Sequence, residues 1–372
     1  MFCRRTLQRL AGLVAAAAFG LALAQPATAA ADPNKVIHTY FPAGENGFDP
    51  VRISDLYSAT VLEGIFERLL TYDYLARPSK LVPMLAESMP EVADNGKTFT
   101  FHLKKGVYFA PDPVFKGKKR ELVAQDVVYS YLRFMDPKLR SPYAFLLEGK
   151  LVGLDEHAEA AKKSGKFDYD AKIPGIEAVD RYTVRFRLKE TDYNFLFVAA
   201  HISLGIVARE VIEAYADDTM GHPVGTGPYM LKSWTRRSKI VLEANPEYRG
   251  FTWDFAPSEP AAWDEQLVKD MRGKQMPQVD RVEITIIEEA QSLWLAFQQK
   301  QIDYLNVPST FAPVDRWTAT HVDWAAAPFF ETIWIAGNVA LDDVLKPITM
   351  SPPKDPIVPS FARFGEIAPF QA

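Results

Sequence analysis

Cysteine is nearly absent: the 372-residue chain carries one, Cys3, at its extreme N-terminus. A lone thiol so placed leaves nothing in the body of the chain for a disulfide framework, a thiolate metal site or a cysteine nucleophile. Long apolar runs are equally scarce. The longest, 10–24, has 15 residues, fewer than the roughly 20 that span a bilayer. An excess of positive charge is also missing. The formal net charge is −5 with acids and bases interspersed, so no basic stripe marks a nucleic-acid partner. The six histidines are scattered, and neither a His-Glu-x-x-His helix nor a Gly-x-Ser-x-Gly elbow occurs. Glu288 and Glu289 are the acid pair on which a secreted hydrolase reading would rest, but neighbours on a strand point to opposite faces. No metal or cofactor is expected.

What is present is an ordinary globular composition, 48% hydrophobic and 24% charged, with apolar mass for two or three cores. The first thirty residues have three parts: Arg4, Arg5 and Arg9, the run 10–24, and the small-residue exit Ala27-Thr28-Ala29. That order reads as a secretory signal peptide, 1–31, cut near 29–31. The Arg4-Arg5 pair raises twin-arginine export, but the surrounding residues fit general secretion better. Removing three cations takes the net charge from −5 to −8, which disfavours anionic membrane surfaces. Cys3 precedes the run, the wrong place for a lipid anchor. The mature product is expected to be soluble, without membrane insertion, and monomeric.

After the signal, 35–41 reads as a strand and 42–50 as a loop broken by two prolines and two glycines. Ser54 or Asp55 can cap a helix whose buried stripe is Tyr57, Val61, Leu62, Ile65, Phe66 and Leu69. From Glu91 the pattern alternates: Phe99, Phe101 and Leu103 against polar neighbours, after an Asp94-Asn95-Gly96 turn, make a hairpin. Val127, Val128, Tyr131, Leu132 and Met135 restore helical spacing, stopped at Asp136-Pro137. The charged stretch 151–173 reads as a surface insertion. A second hairpin carries Tyr182, Val184, Phe186 and Leu188 on one face. Further strands are expected over 231–244 and 279–287, and a helix over 290–300 with Leu293, Trp294 and Phe297 inward. The stretch 253–277 reads as a long surface excursion, and the prolines from 347 onward make 341–372 irregular.

Five segments, in this order, resemble the family 5 extracellular solute-binding proteins, the oligopeptide, dipeptide and nickel receptors of bacterial ABC importers. They are MLAESMPEVADNGKTFTFHLKKGVYF (84–109), AQDVVYSYLRFMDP (124–137), IEAVDRYTVRFRLKE (176–190), PVGTGPYMLKSW (223–234) and VDRVEITIIEE (279–289). Relatives place Ser or Thr before the second segment, whereas this chain has Val123. Losing that capping box with Asp126 is expected to cost about 1 kcal/mol. FFETIWIAGNV (329–339) resembles the family's aromatic strand, but 341–372 resembles nothing beyond it, so the chain reads as a shortened copy.

The resemblance implies an α/β, periplasmic-binding-protein-like, two-lobed receptor of class II, cluster C type, with an extra subdomain in the first lobe and an incomplete second lobe. The first lobe would comprise 32–68 and 174–288, the inserted subdomain 69–173, and the start of the second lobe 289–340. It implies noncovalent capture of a small peptide or other small solute, delivery to an inner-membrane ABC permease, a periplasmic location and no catalysis. Glu45, Asn46, Gly47 and Phe48 are the candidate wall on the first lobe, since a loop leaving a strand can offer backbone groups and a carboxylate. A plain solvated loop is the competing reading. Trp334 and Asn338 are the candidates on the second lobe, with core packing of Trp334 as the alternative. The turn Gly225-Thr226-Gly227-Pro228-Tyr229 lacks the lysine and hydroxyl residue of a phosphate loop and reads as a turn only. An inactive remnant or a periplasmic chaperone is the second reading, and a secreted hydrolase the third.

Overall fold

The computed structural model describes residues 32–76, 78–257 and 262–306; the proposed signal peptide, Trp334, Asn338 and the tail lie outside them. Two four-stranded sheets organise the chain. In the first, Asp32–Phe41 lies parallel to Val279–Ile286, which pairs antiparallel with Lys239–Ala244 and, beyond it, Tyr229–Thr235. Strands from the two ends of the described chain are thus neighbours, in register Thr39 to Ile284 and Ile284 to Ile240. Ile240, Leu242 and Ile284 bury one sheet face with Val61, Leu62 and Ile65 of the helix Leu56–Ile65 and with Phe48 and Ile53 from the preceding loop.

The second sheet runs Glu91–Ala93, Thr98–His102, Thr183–Arg187, Ile176–Asp180, all antiparallel. Asp94, Asn95 and Gly96 all take positive φ, the left-handed backbone that closes a tight turn. Phe99, Phe101, Val184 and Phe186 face the helix Ala124–Arg133 through Val127, Tyr131 and Leu132. Because Thr98–His102 pairs with Thr183–Arg187, this sheet takes strands from both sides of residue 174.

Four local expectations need correction. The stretch 151–173 is not a bare surface insertion: it holds the helix Leu154–Ser164, with Leu154, Ala158 and Ala161 buried in the second core. The excursion 253–277 holds the helix Ala262–Met271 and a buried Trp253. The first helix ends at Ile65, so Phe66 and Leu69 are core residues of the chain beyond it. The capping interaction at Val123 is only half lost. The Asp126 carboxylate accepts the Val123 N–H at 2.8 Å, and the Asp126 N–H reaches the Val123 carbonyl at 2.9 Å. Arg120 clamps the same carboxylate through two bonds of 2.7 and 2.8 Å, which holds it at the helix start.

Two buried polar links tie the sheets together. Asp49, in the loop after the first strand, pairs with Arg133 at the end of its helix through bonds of 2.8 and 3.0 Å, both side chains at most 2% exposed. Burial alone would raise the Asp49 pKa; the Arg133 guanidinium reverses this and holds it below the ordinary carboxylate value. The second link is the glycine turn. A Cβ on Gly225 would lie 2.0 Å from the Ile65 carbonyl oxygen, and one on Gly227 would meet it at 2.7 Å. That closeness lets Gly227 N–H cap Ile65 O at 2.8 Å and Gly225 O accept the Ala110 N–H at 2.8 Å. Between them Thr226 donates to Glu67 Oε2 at 2.9 Å, and Arg249 clamps both Glu67 oxygens. All its polar groups named here are engaged within the chain.

Candidate ligand-binding site

The loop 42–50 leaves the first strand and turns under the N-terminus of Leu56–Ile65. Its turn is enforced by Gly47, at φ 132°, where a Cβ would meet Met220 Cε at 2.6 Å. Phe48 N–H donates to the Met220 carbonyl at 2.8 Å. Its ring is fully buried, 4.8 Å from the Trp234 ring. Phe48 and Gly47 therefore set the shape of the loop, and their side-chain positions face protein.

Glu45 is 4% exposed. Its Oε1 accepts Trp234 Nε1–H at 2.5 Å and the Arg237 N–H at 2.9 Å, while Oε2 is buried with no hydrogen-bond partner. The carboxylate thus latches the loop to the hairpin between Tyr229–Thr235 and Lys239–Ala244. Arg236 adds a bond to the Asn46 carbonyl at 3.1 Å and stands over the Trp234 ring at 5.3 Å. Arg237 reaches Glu288 Oε1 at 3.2 Å, so one member of the Glu288-Glu289 pair serves an exposed ion pair.

Asn46 lies nearer the surface. Its side chain donates to Ser54 Oγ at 2.8 Å and accepts from Ser58 Oγ at 3.1 Å. Asp55 is the helix cap, accepting Ser58 N–H at 2.7 Å, as its position before the apolar stripe predicts. Beside this cap stands Tyr143, half-buried and packed against both cores. Burial, and then the charge of Asp55, raise its phenol pKa. Its ring centroid is 5.1 Å from His201 and 6.2 Å from Phe145. Burial and then Arg68 push the His201 pKa down to about 4, so the imidazole is neutral at pH 7. Leu56 and Phe145 are 62% and 56% exposed.

At the seam of the two cores the structure thus places exposed apolar groups (Leu56, Phe145), a half-buried phenol packed on the neutral His201 ring, and the polar cap Asn46-Ser54-Asp55. That mixture suits an amphipathic ligand held by noncovalent contacts. Of the four first-lobe candidates, Asn46 belongs to this surface, Glu45 and Phe48 are turned inward, and Gly47 shapes the bend. Leu56, Tyr143, Phe145 and His201 are not evident from periodicity. The available signal was an apolar residue directly after the cap and off the stripe, together with a Ser141-Pro142-Tyr143 break after the Asp136-Pro137 helix stop.

Among the described residues no group of His, Cys, Asp and Glu is arranged to hold a metal ion, and no helix is long and apolar enough to cross a membrane. The fold is that of two-lobed α/β solute receptors. The described chain aligns with the ABC transporter-associated periplasmic binding protein DppA from Helicobacter pylori, solved in complex with the peptide STSA. The TM-score is 0.53 and the identity 27%, over 72% of this chain and 45% of that one.

Residues 80–352 match the family of bacterial extracellular solute-binding proteins, family 5 (Middle), and the chain belongs to it. It is 32% identical over 203 residues to the periplasmic oligopeptide-binding protein OppA of Escherichia coli K12, covering 54% of this chain and 34% of that protein. To the dipeptide-binding protein of Pseudomonas aeruginosa it is 30% identical over 252 residues, 65% of this chain and 43% of the relative. The chain therefore spans well under half the length of these relatives. The family is one of extracellular solute-binding proteins, and the Escherichia coli relative is a periplasmic one.

Proposed function

We propose that this chain is the solute-receiving part of an ABC importer: it holds a peptide-like solute against the seam between its two sheets and hands it, unaltered, to an inner-membrane permease. The observation that carries this reading is the exposed Leu56 and Phe145, with the half-buried Tyr143, beside the capped helix start, in a member of a solute-binding family. A receptor for many peptides must grip what peptides share, their backbone donors and acceptors and their end charges, and tolerate varied side chains in hydrated space. Asn46 and Ser54 supply polar partners within reach of such a backbone. Leu56 and the two aromatic rings supply apolar area, and the half-buried Tyr143 ring, held by both cores, does so at little entropic cost. The periplasm, reached through cleavage within the first 31 residues, is the location this role requires.

Native mass spectrometry of the protein purified without denaturation tests the reading. A retained mass of peptide size that titrates away with excess tri-alanine supports it. A folded, ligand-free protein that shows no thermal shift with any of a pool of di-, tri- and tetrapeptides contradicts it, as does a peptide recovered cleaved. A ligand in hundredfold excess over its dissociation constant adds about 2.7 kcal/mol, well within range of a melting experiment.

A further inference from the structure

A concave surface whose lining includes none of Leu56, Tyr143 and Phe145 lies on the same molecule. A groove of about 710 Å³ is lined by Arg52, Lys138, Arg140, Lys162 and Lys166, with Asp136 as its acid. The five cations come from three separated stretches of sequence: the loop before Leu56–Ile65, the break after Ala124–Arg133, and the end of Leu154–Ser164. The fold assembles them; no charge run does. Arg52, Lys138, Arg140 and Lys166 make no ion pair among the described residues, and Lys162 has only an exposed pair with Glu159 at 2.6 Å. Lys166 lies in the field of Asp170, which is itself paired with Arg209 at 2.5 Å. Asp136 is occupied too: Oδ2 accepts the Tyr169 hydroxyl at 2.6 Å and Oδ1 the Lys138 N–H at 2.9 Å.

Lys162 stands in the last turn of its helix, where a cation complements the helix dipole, so its presence has a structural reason. No such reason covers Arg52, Lys138 or Arg140, and Arg140 is held at φ 49°, a conformation that a side chain other than glycine adopts at a cost. Five exposed cations around one hollow create a local positive potential that attracts an anion. The chain carries a net charge of −5, so this concentration runs against its overall composition. The volume lies within the range of small-molecule sites, roughly 300–1,000 Å³.

We infer that this groove binds a small polyanion, a solute presenting several phosphate or carboxylate oxygens, at a site distinct from the proposed peptide surface. Calorimetric titration of the whole protein with tripolyphosphate at low ionic strength tests it, alongside the variant Arg52→Gln/Lys138→Gln/Lys166→Gln. These positions are exposed and at negative φ, and single Lys138→Gln serves if the triple variant folds poorly. The expected result is saturable one-to-one binding to the native protein that weakens with salt and falls at least about tenfold in the triple variant, with tri-alanine binding unchanged. Equal binding by native protein and variant overturns the proposal, as does no saturable heat. Capture by phosphatidylglycerol vesicles without binding of soluble tripolyphosphate also overturns it, since the anion would then be a membrane headgroup. Because tri-alanine is titrated in parallel, loss of the peptide reading and loss of this one give different results.

Discussion

The loop 42–50 and the segment 141–145 both approach the same helix start, and they use their polar and aromatic groups in opposite ways. The loop turns them inward: Phe48 packs at a tilt against Trp234, Glu45 is latched by Trp234 and Arg237, and Asp49 is locked to Arg133. The segment leaves Phe145 out in solvent and Tyr143 half-buried beside Asp55. A carboxylate in a surface-like loop sequence is therefore not by itself a ligand group. What separates the two is whether the fold has already supplied each group with an internal partner.

The comparison breaks most visibly at the locked side. Arg133→Ala strands Asp49 as an unpaired buried charge and should cost about 3–5 kcal/mol in urea unfolding. Asp49→Leu combined with Arg133→Met should cost clearly less, because no lone charge remains; equal losses would show that the pair is not isolated from water. Next in size is a pH effect. His201 holds its proton less tightly folded, at about 4, than its ordinary 6.5. Its contribution to stability is therefore complete above pH 6.5 and declines as pH falls toward 4, by up to about 3 kcal/mol. Melting temperatures of the native protein should drop along the 6.5 to 5 limb, and His201→Asn, which keeps an acceptor for Ser203 N–H, should flatten that limb.

Gly225→Ala forces a methyl group against the Ile65 carbonyl and should destabilise by about 2–3 kcal/mol, with Gly64→Ala, whose Cβ would meet nothing closer than Tyr229 Cδ2 at 3.6 Å, serving as the control in which a methyl group is added without a clash. The smallest effect sharpens the available side of the comparison. Leu56→Ser should leave unfolding within about 0.5 kcal/mol of the native protein yet weaken tri-alanine binding about tenfold, or roughly 1.4 kcal/mol. A loss of stability as large as the loss of affinity would make Leu56 a packing residue.

Sequence patterning located the elements whose signal is dense. The alternation around Phe99 and Phe101 and the stripe Val61, Leu62, Ile65 are each repeated by several large side chains, and Asp55 stands at the one place a cap was needed. The helix Leu154–Ser164 escaped because its buried face is Leu154, Ala158 and Ala161: two of three anchors are alanines, which carry little hydrophobic contrast against charged neighbours. The paired sheets were legible as hairpins but their joining was not, since strands 35–41 and 279–287 meet across some 240 residues and only tertiary packing brings them together. The same limit applies to the site. Asn46 was readable as part of a loop, whereas Tyr143 comes to the helix start only through packing on both cores, and His201 through its contact with Tyr143. Glu45 and Phe48 looked available because loop position says nothing of where Trp234 will stand.

Hydrogen exchange with and without saturating tri-alanine tests most directly whether the seam is the working surface. The account predicts slowed exchange in 54–58 and 141–146 on binding, with the amides of 47–49 already protected and unchanged. Protection that appears in 47–49 instead, with 54–58 and 141–146 indifferent to the peptide, would contradict it.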